Sequence, residues 1–199
     1  MFSYQTINTP SLEVLHKDRG STFYGYAIPI ETDQEVKKTL EALKQKHSSA
    51  GHFCYAYQHG IETAYYRTSD DGEPNNSAGL PIYGQLQAFK VTNILVVVIR
   101  YFGGTKLGVG GLINAYKTTA KLSLEASKIQ TLDILIPCKL SFVYKDMSQV
   151  MRFIKKHQLT IKSQRLEMEC EVLVLVKKMN LKSLMTTFEA FHKIKVKIL

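Results

Sequence analysis

Five glycines crowd the stretch RYFGGTKLGVGG (100–111), between an apolar run and a helix-like segment. Gly103, Gly104, Gly108, Gly110 and Gly111 leave the backbone free for positive φ and for close approach to a ligand. A helix starting nearby would aim unpaired N–H groups and its positive dipole end at an anion, and Lys106 would add a full charge. The spacing matches neither GxxxxGK[ST] nor GxGxxG, and a sharp strand-to-helix connection accounts for the same glycines. Upstream, Asp70, Asp71 and Glu73 form the densest acidic cluster, residue types that hold Mg²⁺ or serve as a general base. Asp-Gly and Glu-Pro are equally the stuff of ordinary turns. His52 and Cys54 share one face of a strand, which raises a thiol nucleophile with its base, although a cysteine among small residues is usually packing. Arg100 ends a strand that reads as buried. A buried guanidinium needs a partner, and a carboxylate from residues 70–73 is the expected one. That pairing would bring the acidic segment beside the glycine loop. Ser77, in NNSAG, misses the nucleophile pattern GxSxG and reads as a helix cap.

The elements that must position these residues follow from periodicity. TDQE (32–35) has capping-box form, and Val36, Leu40 and Leu43 then fall on one helical face. HFCYAYQ (52–58) alternates as a strand with Phe53, Tyr55 and Tyr57 on one side; His59-Gly60 turns the chain into a second strand, IETAYYRT. SDDGEPNNSAGLP (69–81) is turn chemistry throughout, leading into a helix marked by Ile82, Leu86 and Phe89. NILVVVIRYF (93–102) is apolar on both faces until Arg100, as a central strand covered on both sides must be. A helix is expected from about 111 to 128, and TLDILIP (131–137) reads as a junction.

Beyond the junction, IPCKLSF, TIKSQRLEM and ECEVLVLVKK read as strands. Met147, Val150, Met151 and Ile154 mark one helix, and Leu181, Leu184, Met185 and Phe188 a second. KIKVKIL closes as a strand with Ile194, Val196 and Ile198 inward and Lys193, Lys195 and Lys197 outward. This β-α-β-β-α-β order is the split-βαβ, ferredoxin-like pattern. The expected class is α+β in two domains, 1–133 and 134–199.

Charge divides at the same place. Residues 1–133 hold 13 Lys/Arg against 12 Asp/Glu, whereas residues 134–199 hold 13 against 5, a net of +8. Such asymmetry points to an acidic partner of the second domain, most simply nucleic acid, with Lys177, Lys178, Lys193, Lys195 and Lys197 as contacts. Lysines on an edge strand also deter sheet-to-sheet aggregation. No RNP aromatics or KH-type GxxG name a known RNA module. Three dispersed cysteines without a CxxC pair fit reduced thiols in a cytosol, not a disulfide framework or a zinc site. The start lacks a basic and an apolar signal region, and the longest apolar run, 94–99, is far short of the roughly 20 residues that span a bilayer. A cytoplasmic protein without membrane, metal or cofactor is expected.

DDGEPNNSAGLPI followed by ILVVVIRYFGGTKLGVGGLINAY closely resembles the motif pair of the IMPACT/YigZ family, and KDRGSTF and AGHFCYAY resemble further family segments in the family's order. The resemblance covers residues 15–128 and the tail more loosely. It implies a first domain like the second domain of a small-subunit ribosomal protein, a β-α sandwich as in the fourth domain of the translocating elongation factor, and a ferredoxin-like second domain. Asp70 to Pro74, Ala78, Gly79 and Pro81 match the acidic motif. Arg100, Tyr101, Gly103, Gly104, Leu107, Gly108, Gly110, Gly111, Ala115 and Tyr116 match the glycine motif, and His52 and Cys54 the hairpin. Asn76-Ser77 stands where the family usually has Gly-Thr, and Asn114 where a basic residue is common, which removes one potential phosphate contact. Eukaryotic IMPACT proteins, which carry a further N-terminal interaction domain, restrain a starvation-activated translation kinase by competing for its activator; the two-domain layout expected here is the bacterial one. Two functions follow as expectations. The first is a cytosolic nucleic-acid- or ribosome-binding regulator of translation. The second is a hydrolase or small-ligand enzyme that uses Asp70, Asp71 and Glu73 with the glycine loop to take a phosphate or nucleotide.

Overall fold

The computed structural model describes residues 1–189 and 194–199, and the chain divides into two compact units. The larger, Tyr4–Leu132, is built on β1 (Ser3–Ile7), β2 (Val14–Asp18), β3 (Ser21–Pro29), α1 (Asp33–Lys46), β4 (His52–His59), β5 (Tyr65–Ser69), α2 (Gly79–Ala88), β6 (Ile94–Tyr101), α3 (Gly108–Glu125) and β7 (Ile129–Asp133). Five strands form one sheet in the order β2-β3-β6-β4-β5, while β1 pairs with β7. β6 is central and antiparallel to both neighbours. Its unbroken apolar run is explained by cover on both faces. Ile94, Val96 and Val98 pack with Ile82 and Leu86 of α2 and Leu112 and Tyr116 of α3; Leu95, Val97 and Ile99 pack with Val36 and Leu43 of α1. α1 starts at the capping box read from the sequence, with Thr32 Oγ1 accepting from the Glu35 N–H at 3.3 Å and the Glu35 carboxylate accepting from the Thr32 N–H at 3.1 Å.

Three boundaries differ from the sequence reading. β5 begins at Tyr65, leaving Gly60 at φ +96° and a wider turn than His59-Gly60 alone. α3 begins at Gly108, so Gly110 and Gly111 belong to its first turn and not to the loop. The stretch expected to be a junction is extended chain, with only Ile134 between β7 and β8.

The smaller unit, Met1–Ser3 with Asp133–Leu199, holds β8 (Leu135–Val143), α4 (Met147–Lys156), β9 (Thr160–Leu166), β10 (Glu169–Lys177), α5 (Leu181–Glu189) and β11 (Lys195–Ile198). Its sheet runs β11-β8-β10-β9, antiparallel throughout. With a helix after β8 and another after β10, this is the ferredoxin-like arrangement. One face is apolar: Cys138, Leu140, Phe142, Val172, Val174 and Val176 pack against Val150, Phe153 and Ile154 of α4 and Leu184 and Phe188 of α5. The inward set assigned to the last strand is corrected at one position: Ile198, at the strand end, is 47% exposed. Lys193 lies outside the described residues. The chain is α+β.

Candidate functional site

β6 delivers Arg100 to the end of the sheet, and strand register sets Phe23 and His52 directly across from it. The guanidinium is 5% exposed, lies over the rings of Phe23 and Phe102 at 5.7 and 5.4 Å, and donates through NH2 to Ser21 Oγ at 3.2 Å. Its counter-charge is Glu73, whose Oε1 accepts from Arg100 NH1 at 2.7 Å and from the Tyr116 hydroxyl of α3 at 2.7 Å. The carboxylate expected from residues 70–73 is therefore Glu73, and it ties the acidic segment to β6 and α3 at once. Arg100 Nε is buried without a hydrogen-bond partner among the described residues. Burial and the neighbouring Cys54 and Glu73 push the Tyr116 phenol far above its usual range, so it stays protonated and keeps its proton to donate to Glu73.

The other two carboxylates turn away from this centre. Asp70 closes the start of α2: Oδ1 accepts from the Ala78 and Gly79 N–H groups at 2.9 and 2.8 Å, and Oδ2 from Asn76 at 2.9 Å. Ser77 is not the cap the sequence suggested, because its hydroxyl donates to the Pro74 carbonyl at 2.6 Å. Asp71 has φ +41° and its carboxylate accepts from the Phe53 N–H at 2.6 Å. His52 Nδ1–H donates to the Asp71 carbonyl at 2.9 Å, which fixes the tautomer and leaves Nε2 3.9 Å from Glu73 Oε1. Cys54 is fully buried, donates to the Asp70 carbonyl at 2.9 Å, and has its thiol pushed well above the ordinary range by burial. Neither a metal-binding carboxylate trio nor a thiol nucleophile is assembled: no group of three His, Cys, Asp or Glu side chains converges to hold an ion among the described residues.

The glycines divide by role. A Cβ on Gly103 would stand 1.9 Å from the backbone of Gly20, itself at φ +80° in the Arg19-Gly20 turn between β2 and β3. Gly103 thus serves close backbone contact. Gly104 and Gly108 have φ of +85° and +73° with no atom within 4 Å of a Cβ, and Gly110 also faces open space. Gly111 packs against Leu107. No side chain caps α3, and Lys106, Phe102 and Val109 are exposed around its start.

The tail lysines are scattered. Lys177 pairs with Asp133 at 2.7 Å, and Lys178 lies in the turn before α5, its backbone N–H donating to the Ile134 carbonyl at 2.8 Å. Lys195 and Lys197 are exposed on the edge strand β11, opposite Ser141 and Lys139, and Lys139 is paired with Glu171 at 2.6 Å. Sequence reasoning missed a second polar cluster in the larger unit, on the α1 side of the sheet. His47, 6% exposed, meets the Tyr26 hydroxyl through Nε2 at 2.6 Å and the Tyr101 hydroxyl through Nδ1 at 3.0 Å. Tyr26 donates to Glu13, which also pairs with Lys46 at 2.7 Å. Burial and the Glu13 contact push the Tyr26 phenol up to about 12, burial holds His47 down, and Lys46 and Tyr26 hold the Glu13 carboxyl down. Its members are spread from residue 13 to residue 101, and no local spacing announces them.

The Impact N-terminal domain model matches residues 19–124, a segment that contains every residue of the Glu73–Arg100 network and the glycine loop. The chain belongs to the IMPACT family. It is 35% identical over 148 residues to an IMPACT family member of Haemophilus influenzae, covering 72% of this chain and 71% of that one. It is 40% identical over 96 residues to YvyE of Bacillus subtilis (48% and 44%) and 36% identical over 107 residues to YigZ of Escherichia coli (53% and 51%). The matches therefore span about half the length of these last two relatives. A solved crystal structure of a hypothetical protein superposes with TM-score 0.78 at 24% identity, covering 100% of this chain and 98% of its own, so the fold extends through both units. The structure of the two-domain translational regulator Yih1 aligns at 29% identity over 59% of this chain and 45% of its own, with TM-score 0.40. Among the described residues no helix is long and apolar enough to cross a membrane.

Proposed function

We propose that this chain is a cytosolic, non-enzymatic regulator of translation that binds RNA or the ribosome. The observation that carries the proposal is the charge division. Residues 134–199 hold 13 Lys/Arg against 5 Asp/Glu, so complete pairing among them leaves an excess of eight cations, and with Lys177 held by Asp133 seven remain for a polyanion. In the first unit the groups that looked catalytic are committed to the fold, which favours a binding surface over a reaction centre. The glycine loop supports the reading: Gly104, Gly108 and Gly110 leave space beside the uncapped start of α3, and Lys106 stands exposed next to it. A phosphate of RNA suits that site. Co-sedimentation of the whole chain with ribosomes through a potassium chloride series tests the proposal. Binding at low salt that falls steeply as salt rises is expected, because neutralised phosphates release counterions. Failure to co-sediment at low salt would refute it.

A further inference from the structure

Only part of the smaller unit's charge is available to a partner. On the sheet side, Lys139 pairs with Glu171, Arg165 with Glu167 and Lys177 with Asp133. The helical side differs. α4 carries Gln149, Arg152, Phe153, Lys156 and His157 at the spacings of one continuous helical face, and together with Thr187 of α5 they line a groove of about 250 Å³. Arg152 and Lys156 are exposed and have no ion-pair partner among the described residues, and no acidic side chain among those residues lines the groove. Lys155 is exposed beside it. The floor is apolar and fixed: the Phe153 ring lies 4.3 Å from the rings of both His157 and Phe188. The Thr187 hydroxyl donates to the Ser183 carbonyl at 3.0 Å, which holds that wall of the groove in place.

We propose that this α4–α5 groove is where the chain holds the phosphodiester backbone of RNA, with Arg152 and Lys156 on successive phosphates and Gln149 as a neutral donor one turn before Arg152. The inference rests on the RNA reading of the proposed function but moves the contact from the lysines of the last strand to the helical side. Charge decides between the two surfaces. Among the described residues two cations without an ion-pair partner flank a concave groove that no anion lines, whereas Lys195 and Lys197 share their sheet with Glu169 and Glu171. Arg152 supplies a planar fork of donors that suits a phosphate, and Lys156 a compact charge one helical turn away.

The test uses the full chain and a fluorescein-labelled single-stranded RNA, read by anisotropy between about 50 and about 200 mM potassium chloride. The pair Arg152→Gln/Lys156→Gln is compared with the pair Lys195→Gln/Lys197→Gln; all four side chains are exposed, so both variants should fold. Each phosphate contact contributes about 0.7 to the slope of log K against log salt for a single strand, so the helical pair should lower the slope by about 1.4. Over that fourfold salt range the unaltered chain should lose about sevenfold more affinity than the helical variant, and the strand variant should follow the unaltered chain. Loss confined to the strand variant, or equal displacement of the RNA by poly-glutamate at matched charge, would overturn the assignment; the latter would point to an acidic protein surface. No RNA binding by the unaltered chain would overturn the assignment and the RNA reading together, an outcome distinct from the other two.

Discussion

Glu73→Gln isolates the charge of the buried network with the least change in shape. The amide oxygen can still accept from Arg100 NH1 and the Tyr116 hydroxyl, so both 2.7 Å contacts survive as neutral hydrogen bonds. What disappears is the only anion among the described residues within ion-pair distance of Arg100, which is 5% exposed. The rings of Phe23 and Phe102 and the Ser21 hydroxyl remain, but they do not neutralise it. Removing one partner of a buried pair costs about 3–5 kcal/mol, because the other is left as an uncompensated charge. For a unit of this size that corresponds to a fall in melting temperature of roughly 10–20 °C. Differential scanning calorimetry of the whole chain should show one transition moved and the other, belonging to the smaller unit, in place. The double change Glu73→Leu/Arg100→Met should recover most of the loss, since apolar replacement of a complete buried pair is often neutral or stabilising. A Glu73→Gln loss below about 1 kcal/mol would mean that water reaches the pair and that the network is no electrostatic clamp.

Other perturbations probe the same frame. Gly103→Ala should cost at least about 3 kcal/mol in urea unfolding because its Cβ would enter the Gly20 backbone, whereas Gly110→Ala, with open space in the first turn of α3, should stabilise by about 0.5–1 kcal/mol; like behaviour of the two would remove the distinction drawn between the glycines. Asp70→Ala should cost about 1–2 kcal/mol by uncapping α2 and should speed amide exchange at Asn76, Ala78 and Gly79, and unchanged exchange there would contradict the capping role. His47 is held below its ordinary value of 6.5 in the fold, so the folded state binds fewer protons than the unfolded one. Its contribution is intact above pH 6.5 and is lost as pH falls through the lowered value, so the urea midpoint should drop on acidification from pH 8 to pH 5 and His47→Gln should flatten that slope. The Glu13 contribution is intact above its ordinary 4.5 and is lost only in more acid solution, which keeps the two separable.

Much of the fold was legible because periodicity and burial coincide. β6 reads as apolar on both faces because α1 covers one and α2 and α3 the other. The β-α-β-β-α-β order of the tail is likewise carried by alternation in β8 and β10 and by the helical spacing of α4 and α5. The partner of Arg100 was also legible, since a charge at the end of a buried strand demands an anion and the acidic segment was the nearest rich source. The start of α3 was not, because glycine tolerates helix and loop alike and gives no local preference between them. The Glu13–Tyr26–His47–Tyr101 cluster was illegible for a different reason: its members sit on four separate stretches of chain, and only the packing of the end of α1 against the sheet brings them together.

The acidic motif resembled a metal or general-base site because both tasks draw on one property, a carboxylate with lone pairs to offer. Composition cannot tell whether those lone pairs face a ligand or the chain's own donors. In this fold they face the chain: Asp70 takes three N–H groups, Asp71 one, and Glu73 a guanidinium and a phenol. A segment so fully paired has little left to offer a substrate, and the neighbouring glycine loop has its own anchor, with the Gly103 N–H donating to Ser21 Oγ at 3.4 Å beside the Gly20 backbone. The same reasoning applied to the smaller unit gives the opposite result. There the cations outnumber the anions, and among the described residues the ion pairs that form lie along the sheet while Arg152 and Lys156 of α4, without ion-pair partners, line a groove. Satisfied charge builds the scaffold and unsatisfied charge seeks a partner, so the carboxylates that look most reactive in sequence are held by the chain's own donors, and the plain basic helix is where the proposed contact falls.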